Sequence, residues 1–356
     1  MDFGLQDIER EICELAESML RDFSTPERLS PLEESGLRVD RELWKALKEA
    51  GVTTVGIDSE HGGAGLGFGE VCLVLEQAGK TVAAAPLLTH SVALLTLQRA
   101  GALEELRRYV AADGWLAASA RVDHDNSLQE ANGRLTGVIS ATPYAPQAEA
   151  FLVPARTGGD WSLYLVPAGQ QGVQVEGQLG TDQSPMGRLT LKSAEAAKLG
   201  DATLLEWLRQ RLIAGSCAIQ TGVVEEVMRI TTDWVCEHEV FGVKEGAFQA
   251  VSQRMADVYI DVMTLQLMSR HAASALASQD DAIADVLAAK ILAGDVGHRV
   301  LAACQHLHGG VGHDRSYRLW RYAVAAKQNE LAIACSSEAA AALGAVIASR
   351  PELVAL

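Results

Sequence analysis

Apolar residues in the first hundred positions recur at spacings of three and four, which is the period of an α-helix. Within residues 8–23 this pattern lines one helix face with Ile8, Ile12, Leu15, Met19 and Phe23. The stretches 41–52 and 70–82 repeat the period, and each has a glycine near its end, where glycine often caps a helix. The sequence therefore predicts an N-terminal helical domain over residues 1–113.

Near Trp115 the helical period gives way to short apolar runs that are separated by Gly, Pro, Asn and Asp. These runs cover 114–122, 133–140, 150–156, 161–168, 172–179 and 187–194. Runs of this length, bounded by turn residues, are typical of β-strands. The pattern predicts a middle, antiparallel, barrel-like β domain over residues 114–199.

After Asp201 the helical period returns in long segments, at 204–236, 248–278, 281–308 and 317–349. The second segment has an apolar side, which we interpret mainly as core, formed by Phe248, Val251, Met255, Val258, Val262, Leu265 and Met268. Four helices of this length would pack as a bundle. The sequence thus predicts a C-terminal four-helix bundle over residues 200–356, in a chain that is mainly α with a small β unit.

Charge and composition narrow the range of partners. The chain has 356 residues, 48% of them hydrophobic and 21% charged, which indicates a globular protein. Its formal charge of -16, with no cluster of Lys and Arg, argues against a nucleic-acid surface and favours small molecules or proteins as partners.

No apolar run is long enough to span a membrane, and the first residues are acidic, so we expect a soluble cytoplasmic protein. Its six cysteines form no CxxC pair, which suits a reducing compartment.

The stretch 303–314, "ACQHLHGGVGHD", combines three histidines with three glycines. The glycines allow the backbone to approach a diphosphate closely at a helix junction, although such a turn also simply ends a helix. The histidines His306, His308 and His313 have only Asp314 as an accompanying carboxylate, so we expect no metal site. An equally open interpretation of His308 is a hydrogen-bonded histidine between helices.

Two motifs and the three-part order together resemble the acyl-CoA dehydrogenase family over essentially the whole chain. The motifs are "HEVFGVKEGAFQAVSQRMADVYIDV" at 238–262 and "QHLHGGVG" at 305–312, and the segment 73–101 also reads like the N-terminal domain of that family. The resemblance implies an acyl-CoA dehydrogenase-like fold, bound FAD and an acyl-CoA substrate. It also implies electron-transfer flavoprotein or a similar electron acceptor. In the family a glutamate takes the α proton while the β hydrogen leaves as hydride to the flavin.

Both positions that the family uses for this base hold other residues in this chain. By counting from the motifs, one position falls at Ile333 and the other near Arg211 or Leu212. Isoleucine has no basic group, and arginine stays protonated at neutral pH. The nearest carboxylates are Glu330 and Glu206, which we regard as weak candidates. We therefore expect no catalytic residue of the family type in this chain.

The family's contacts to the flavin ring are also reduced. Where the family has hydroxyl and backbone donors for the ring, this chain has residues 118–129, "ASARVDHDNSLQ". Where it often has a tryptophan beside the ring, this chain has Ile139. The chain retains more of the residues that the family uses at the dinucleotide end of FAD, with His238 in place of the family's Arg. The predicted cofactor-binding set is His238, Phe241, Phe248, Gln249, Gln305, His306, Gly309, Gly310 and Gly312, and Gly242 follows Phe241 as in the family.

A family fold without its base, but with part of its dinucleotide contacts, resembles one half of a two-subunit enzyme. Actinobacterial acyl-CoA dehydrogenases of steroid side-chain degradation, a part of cholesterol catabolism, pair two chains in an α2β2 heterotetramer in which one chain supplies the glutamate. By this resemblance we expect the chain to be the subunit without the base and to share FAD with a homologous catalytic partner. Two alternatives are a self-sufficient dehydrogenase or flavin monooxygenase of the same fold, and a non-enzymatic scaffold subunit.

Overall fold

The structure, a computed structural model, describes residues 6–121, 128–279 and 281–354. Helices come first, a sheet follows and helices return, so the predicted fold class is confirmed. The first helices are α1 (Asp7–Asp22), α2 (Pro26–Glu34), α3 (Arg41–Glu49), α4 (Phe68–Lys80), α5 (Leu87–Arg99) and α6 (Leu103–Ala111). The strands that follow are β1 (Leu116–Ala118), β2 (Leu128–Ala131), β3 (Arg134–Pro143), β4 (Ala150–Thr157), β5 (Asp160–Pro167), β6 (Val173–Leu179), β7 (Pro185–Glu195) and β8 (Ala197–Asp201).

The C-terminal part contains α7 (Ala202–Glu237), a hairpin of β9 (Glu239–Val240) and β10 (Val243–Lys244), α8 (Gln249–Ser278), α9 (Ile283–His308), α10 (Leu319–Leu331) and α11 (Ser336–Ser349). The chain divides into two compact units. The bundle unit consists of the described parts of Met1–Pro26, Cys72–Ala83 and Ile213–Leu356, and the sheet unit consists of those of Glu27–Val71 and Ala84–Leu212. The three domain boundaries drawn from the sequence stay a prediction.

The sheet of the sheet unit has eight described strands in the order β6-β7-β3-β2-β4-β5-β8, with β1 also paired to β4. Most pairs are antiparallel, as predicted. Strands β1 and β2 instead run parallel to β4, so a purely antiparallel sheet was a wrong prediction. Hairpin loops join β2 to β3, β4 to β5 and β6 to β7. The remaining pairs join strands with longer connections, and their order is not visible in the apolar pattern.

Side chains of α5 bond to β1 in place of a neighbouring strand. The Nδ1 atom of His90 accepts a hydrogen bond from the Leu116 N–H at 3.1 Å, and the Thr89 hydroxyl accepts one from the Ala118 N–H. The imidazole is fully buried, and the indole of Trp44 meets it edge to face at a centroid distance of 5.0 Å. Because Nδ1 accepts, the ring is neutral and carries its proton on Nε2.

This buried histidine makes the stability of the protein depend on pH. Burial lowers the pKa of His90 to about 3, whereas an unfolded histidine titrates near 6.5. The unfolded chain therefore binds more protons between these values, so stability is fully present above about pH 6.5 and is lost as the pH falls. We expect the free energy of unfolding to fall between pH 6.5 and 5 by up to about 1.4 kcal/mol per pH unit. Urea unfolding at a series of pH values measures this dependence. The free energy of unfolding should fall less steeply with falling pH in His90→Gln and as steeply as in the wild type in His313→Gln. Equal pH dependence in the two variants would contradict the prediction.

Helices α4 and α7 cross at two glycines in the bundle unit. A Cβ atom on Gly79 would lie 2.1 Å from the Ile219 carbonyl oxygen, and one on Gly222 would lie 1.9 Å from the Glu76 oxygen. These separations are far shorter than any van der Waals contact, so the two backbones touch only because both side chains are hydrogen. Gly79 is thus a contact residue inside α4, which continues to Lys80, and its interpretation as a helix cap is wrong. Gly51, by contrast, follows α3 with φ of 72°, as a cap should.

In two helices the buried side chains differ from those that the apolar pattern predicted. The helix at α1 is confirmed, but Ile8 and Leu15 of its predicted face are 46% and 47% exposed, and Ala16 and Leu20 are buried instead. On α8 the buried residues of the predicted side are Val258, Val262 and Leu265, and the remaining four are half-buried. The apolar period therefore locates the helix, while its rotation depends on neighbours that are distant in sequence.

The last predicted helix, 317–349, is two helices, because helical hydrogen bonding stops after α10 and begins again at α11. Ile333 lies in the connection with φ of 65°, which a helix cannot contain. Cys335 and Glu338 then form a reciprocal capping box that starts α11. By length and composition alone, the segment Leu319–Ser349 could cross a membrane. The break at 332–335 interrupts it, and neither half has the length that a span needs.

Candidate functional site

The predicted cofactor residues gather at one end of the bundle unit, where α7 ends, α8 begins and α9 ends. His238 directly follows α7, and its carbonyl oxygen accepts a hydrogen bond from the Glu245 N–H at 2.8 Å. Phe248 in turn bonds to Glu245 and is the residue from which α8 starts. At the end of α9, residues 309–313 form a short 3-10 turn that contains the three glycines. The site residues thus lie on element ends rather than on helix faces.

Phe241 and Gly242 form the tip of the β9–β10 hairpin. Val240 pairs with Val243, so only these two residues make the turn, and their φ values of 55° and 79° are both positive. Two consecutive positive φ values define a type I′ turn, which favours Asn-Gly and disfavours a bulky first residue. The Phe241 side chain is 95% exposed, so packing within the chain does not stabilise it there. Turn formation therefore does not explain why this residue is a phenylalanine.

An aromatic stack connects the hairpin to the end of α9. The His238 ring stacks on Trp234 at 4.6 Å with an interplanar angle of 20°, and the His308 ring lies 5.1 Å from the same indole. Sequence reasoning missed Trp234, although its position one helical turn before His238 was a usable signal. Its Nε1 atom is buried and has no hydrogen-bond partner among the described residues. A buried N–H of this kind is free to bond to a ligand or a water molecule.

His308 has the hydrogen bonds of a structural histidine. Its Nδ1 atom donates to the Cys304 carbonyl oxygen at 2.8 Å, so Nε2 is the acceptor for the Tyr317 hydroxyl at 3.3 Å. Burial lowers its pKa, which favours the neutral ring that this bonding requires. Among the described residues, no group of three or more His, Cys, Asp or Glu side chains could hold a metal ion.

The three glycines of the turn differ in their surroundings. A Cβ atom on Gly312 would meet the Gln305 carbonyl oxygen at 2.9 Å, so this glycine is required by packing. Gly309, with φ of 57°, and Gly310 face open space, where no atom lies within 4 Å of an added Cβ. Their backbone is therefore accessible to a bound group. These exposed peptide groups, together with the free N–H of Trp234, fit the diphosphate end of a dinucleotide.

His306, three residues before Gly309, is exposed and binds an arginine that the sequence analysis did not single out. The Nη1 atom of Arg254 on α8 lies 2.6 Å from the His306 Nδ1 atom. A guanidinium group can only donate, so Nδ1 accepts and the imidazole carries its proton on Nε2. The glycine turn thus has a permanent positive charge near it, and this contact between α8 and α9 forms only on folding.

The positions expected for a catalytic base are occupied by side chains with other roles. Ile333 lies in the α10–α11 connection, and the carboxylate of nearby Glu330 pairs with the Lys327 ammonium at 2.5 Å. The end of α10 is held by buried Lys290, whose Nζ donates to the Asn329 carbonyl oxygen at 2.6 Å. Burial lowers the pKa of that lysine.

The second position expected for the catalytic base, on α7, is also occupied by side chains with other roles. The Arg211 guanidinium is buried against the Trp207 ring, 3.6 Å from its centroid, and Leu212 is buried beside it. Glu206 lies more than one turn upstream, and its carboxylate contacts Arg209 at 3.3 Å. Each weak candidate carboxylate is therefore engaged by a cation on its own helix.

Half of the segment in which the flavin-ring contacts were expected lies outside the described residues. Of the segment 118–129, residues 122–127 are not described. Ile139 lies in β3, opposite Leu189 of β7, and is 8% exposed. The predicted loss of ring contacts therefore stays a prediction for that segment.

Comparisons with known proteins agree with this geometry. A model of the acyl-CoA dehydrogenase N-terminal domain matches residues 7–112, and one of the C-terminal domain matches residues 206–333. The acyl-CoA dehydrogenase FadE27 of Mycobacterium tuberculosis is 33% identical over 99% of this chain and 100% of its own length.

Solved structures are similar over the same length. A chain of the ChsE4-ChsE5 complex from Mycobacterium tuberculosis has a TM-score of 0.93 at 33% identity, and the match covers 99% of this chain and 100% of that one. A chain of a Tcur3481-Tcur3483 steroid ACAD variant has a TM-score of 0.92 at 30% identity, with 97% and 99% covered. Butyryl-CoA dehydrogenase from Megasphaera elsdenii shares the fold, with a TM-score of 0.87 at 20% identity and with 98% and 100% covered.

Proposed function

The chain belongs to the acyl-CoA dehydrogenase family, and we propose that it is the subunit of a heteromeric, FAD-dependent acyl-CoA dehydrogenase that does not supply the catalytic base. In this proposal it holds the adenine and diphosphate end of a shared FAD, and a homologous partner chain performs proton abstraction. The observation that carries the proposal is Ile333 at the family's base position, with Arg211 and Leu212 at the other. Two similar structures are complexes of paired chains, one of them named a steroid ACAD, which supports a steroid side-chain acyl-CoA ester as substrate.

The chemistry assigned to this chain is binding and orientation. When bound, FAD accepts the β hydrogen of the acyl group as hydride. The open peptide groups at Gly309 and Gly310 and the unpaired Trp234 N–H are donors for diphosphate oxygens. Electrons would then pass to electron-transfer flavoprotein or a similar acceptor.

Exposed apolar side chains support assembly with a partner. On α8, Tyr259, Ile260 and Leu267 are 56%, 61% and 49% exposed. After the first turn of α11 the exposed residues are all small: Ala340, Ala341, Gly344, Ala345, Ala348 and Ser349. Small residues let another helix approach closely, and larger apolar patches mark interfaces. An α2β2 heterotetramer would cover both surfaces.

The exposed Phe241 provides a test of a role outside the chain. Phe241→Asn creates Asn-Gly, the preferred pair for a type I′ turn, so we expect the thermal midpoint of the chain alone to stay the same or rise. An aromatic anchor at an interface is worth about 2 kcal/mol or more, so affinity for the partner or for FAD should fall by roughly thirtyfold. Isothermal titration and flavin fluorescence measure these affinities. Unchanged affinities in both would contradict a contact role for Phe241.

Visible absorbance near the flavin band tests the proposal as a whole. The chain is purified alone and also after co-expression with a family homologue that carries glutamate at the base position. We expect colour only in the co-purified complex. Stoichiometric flavin on the chain alone would favour a self-sufficient dehydrogenase or a flavin monooxygenase, and a colourless complex would favour a scaffold without cofactor.

A further inference from the structure

The pair formed by Arg254 and His306 has more positive charge than its neighbours balance. Arg299, which also lies in this unit, is paired with a carboxylate: it binds Asp261 through two hydrogen bonds of 2.9 and 2.6 Å. Within residues 6–121, 128–279 and 281–354, no carboxylate forms a salt bridge with Arg254. A guanidinium bonded to an uncharged imidazole keeps its full charge and several free N–H donors. In a chain with a formal charge of -16 this is an unusual local surplus.

The position of this pair matters because it lies at the C-terminal end of α9. A helix C-terminus carries partial negative charge, which repels an anion. A diphosphate that approaches the open peptide groups of Gly309 and Gly310 therefore requires a nearby cation. His238 stands where the family has its arginine, but its ring lies flat on Trp234 at 4.6 Å. A guanidinium group, by contrast, is a fork of N–H donors that carries a positive charge and matches phosphate oxygens.

We propose that Arg254 is the diphosphate-binding cation of this chain and replaces the arginine that the family motif has at position 238. By donating to Nδ1, Arg254 also sets the tautomer of His306, whose Nε2–H then faces outward as a second donor beside Gly309. The ligand class is a dinucleotide diphosphate, and the inference rests on the proposed FAD-sharing function. It assigns a role to a residue that the motif comparison did not mark.

The test is FAD binding to the complex of this chain with its co-expressed partner, after the flavin has been removed. Arg254→Gln should raise the Kd for FAD roughly tenfold to hundredfold, because a hydrogen bond to a charged group is lost. Riboflavin, which lacks the diphosphate, should bind the wild-type complex and the Arg254→Gln complex with equal Kd. Arg299→Gln is the matched control, since it removes an exposed arginine that joins the same two helices, and its Kd should stay within about twofold of the wild type.

Further variants separate charge from structure. Arg254→Lys keeps the charge and should recover part of the affinity, which a purely structural role would not allow. Arg254→Met keeps the aliphatic stem and serves if glutamine disturbs assembly, and the same loss is expected. Equal Kd values for FAD in Arg254→Met, Arg299→Gln and wild type would overturn the inference. A wild-type complex that binds no FAD would instead refute the proposed function, so the two failures are distinguishable.

Discussion

Replacing Gly222 by alanine is expected to destabilise the chain by about 3 kcal/mol or more. The added methyl group would lie 1.9 Å from the Glu76 carbonyl oxygen and 2.8 Å from the Lys80 backbone nitrogen. Both contacts are with backbone, which cannot rotate away as a side chain can, so α4 and α7 would have to separate. That separation would also open the buried ion pairs of Glu76 with Arg270 at 3.4 Å and with Lys80 at 3.8 Å. Desolvation raises the pKa of this buried carboxyl, and the neighbouring cations oppose the rise.

Urea unfolding followed by far-UV circular dichroism measures this effect. Gly344→Ala is the matched control, because Gly344 also lies inside a helix but faces open space. Alanine is favoured over glycine in a helix interior by up to about 1 kcal/mol, so the control should be neutral or more stable. A loss of stability in Gly222→Ala together with no loss in Gly344→Ala would identify the backbone contact as the cause. A Gly222→Ala protein with wild-type stability would show that the two helices do not cross as described.

The second large effect is on turnover. The chain purified alone is expected to oxidise acyl-CoA at least about a hundredfold more slowly than the complex, because a positioned general base contributes roughly 10²–10⁴ to the rate. A dye that accepts electrons from reduced flavin reports this rate, with steroid side-chain and straight-chain acyl-CoA esters as parallel substrates.

Glu330→Gln and Glu206→Gln in the complex provide the control for this prediction. Each carboxylate pairs with a lysine or arginine three residues away, and Glu206 also accepts a hydrogen bond from the Gln210 amide at 3.4 Å, so both variants should keep turnover within about twofold. A large loss in either variant would identify that glutamate as the base. Turnover by the chain alone at the rate of the complex would refute the division of labour between subunits.

The glycine motif predicted some features of the site and missed others. The glycine motif correctly predicted a turn at a helix junction, since Gly309 has a positive φ and follows the last residue of α9. The motif treated the three glycines alike, although Gly312 is required by packing and the other two are open. It also omitted Trp234 and Arg254, although Trp234 stands one helical turn before His238. The contacts of Trp234 with His308 and of Arg254 with His306 join helices that lie next to each other only after folding.

By itself, the sequence determined the order of helices, strands and helices and the positions of most helices. These depend on short-range period, composition and spacing, which are properties of neighbours along the chain. Only the tertiary structure decided which face of α1 is buried, why Gly79 and Gly222 must be glycine, where the last helix breaks, and that Arg254 binds His306. Apart from the helix break, which is formed by residues close in sequence, each of these depends on contacts between residues far apart in sequence, and a contact of that kind has no signature in either segment alone.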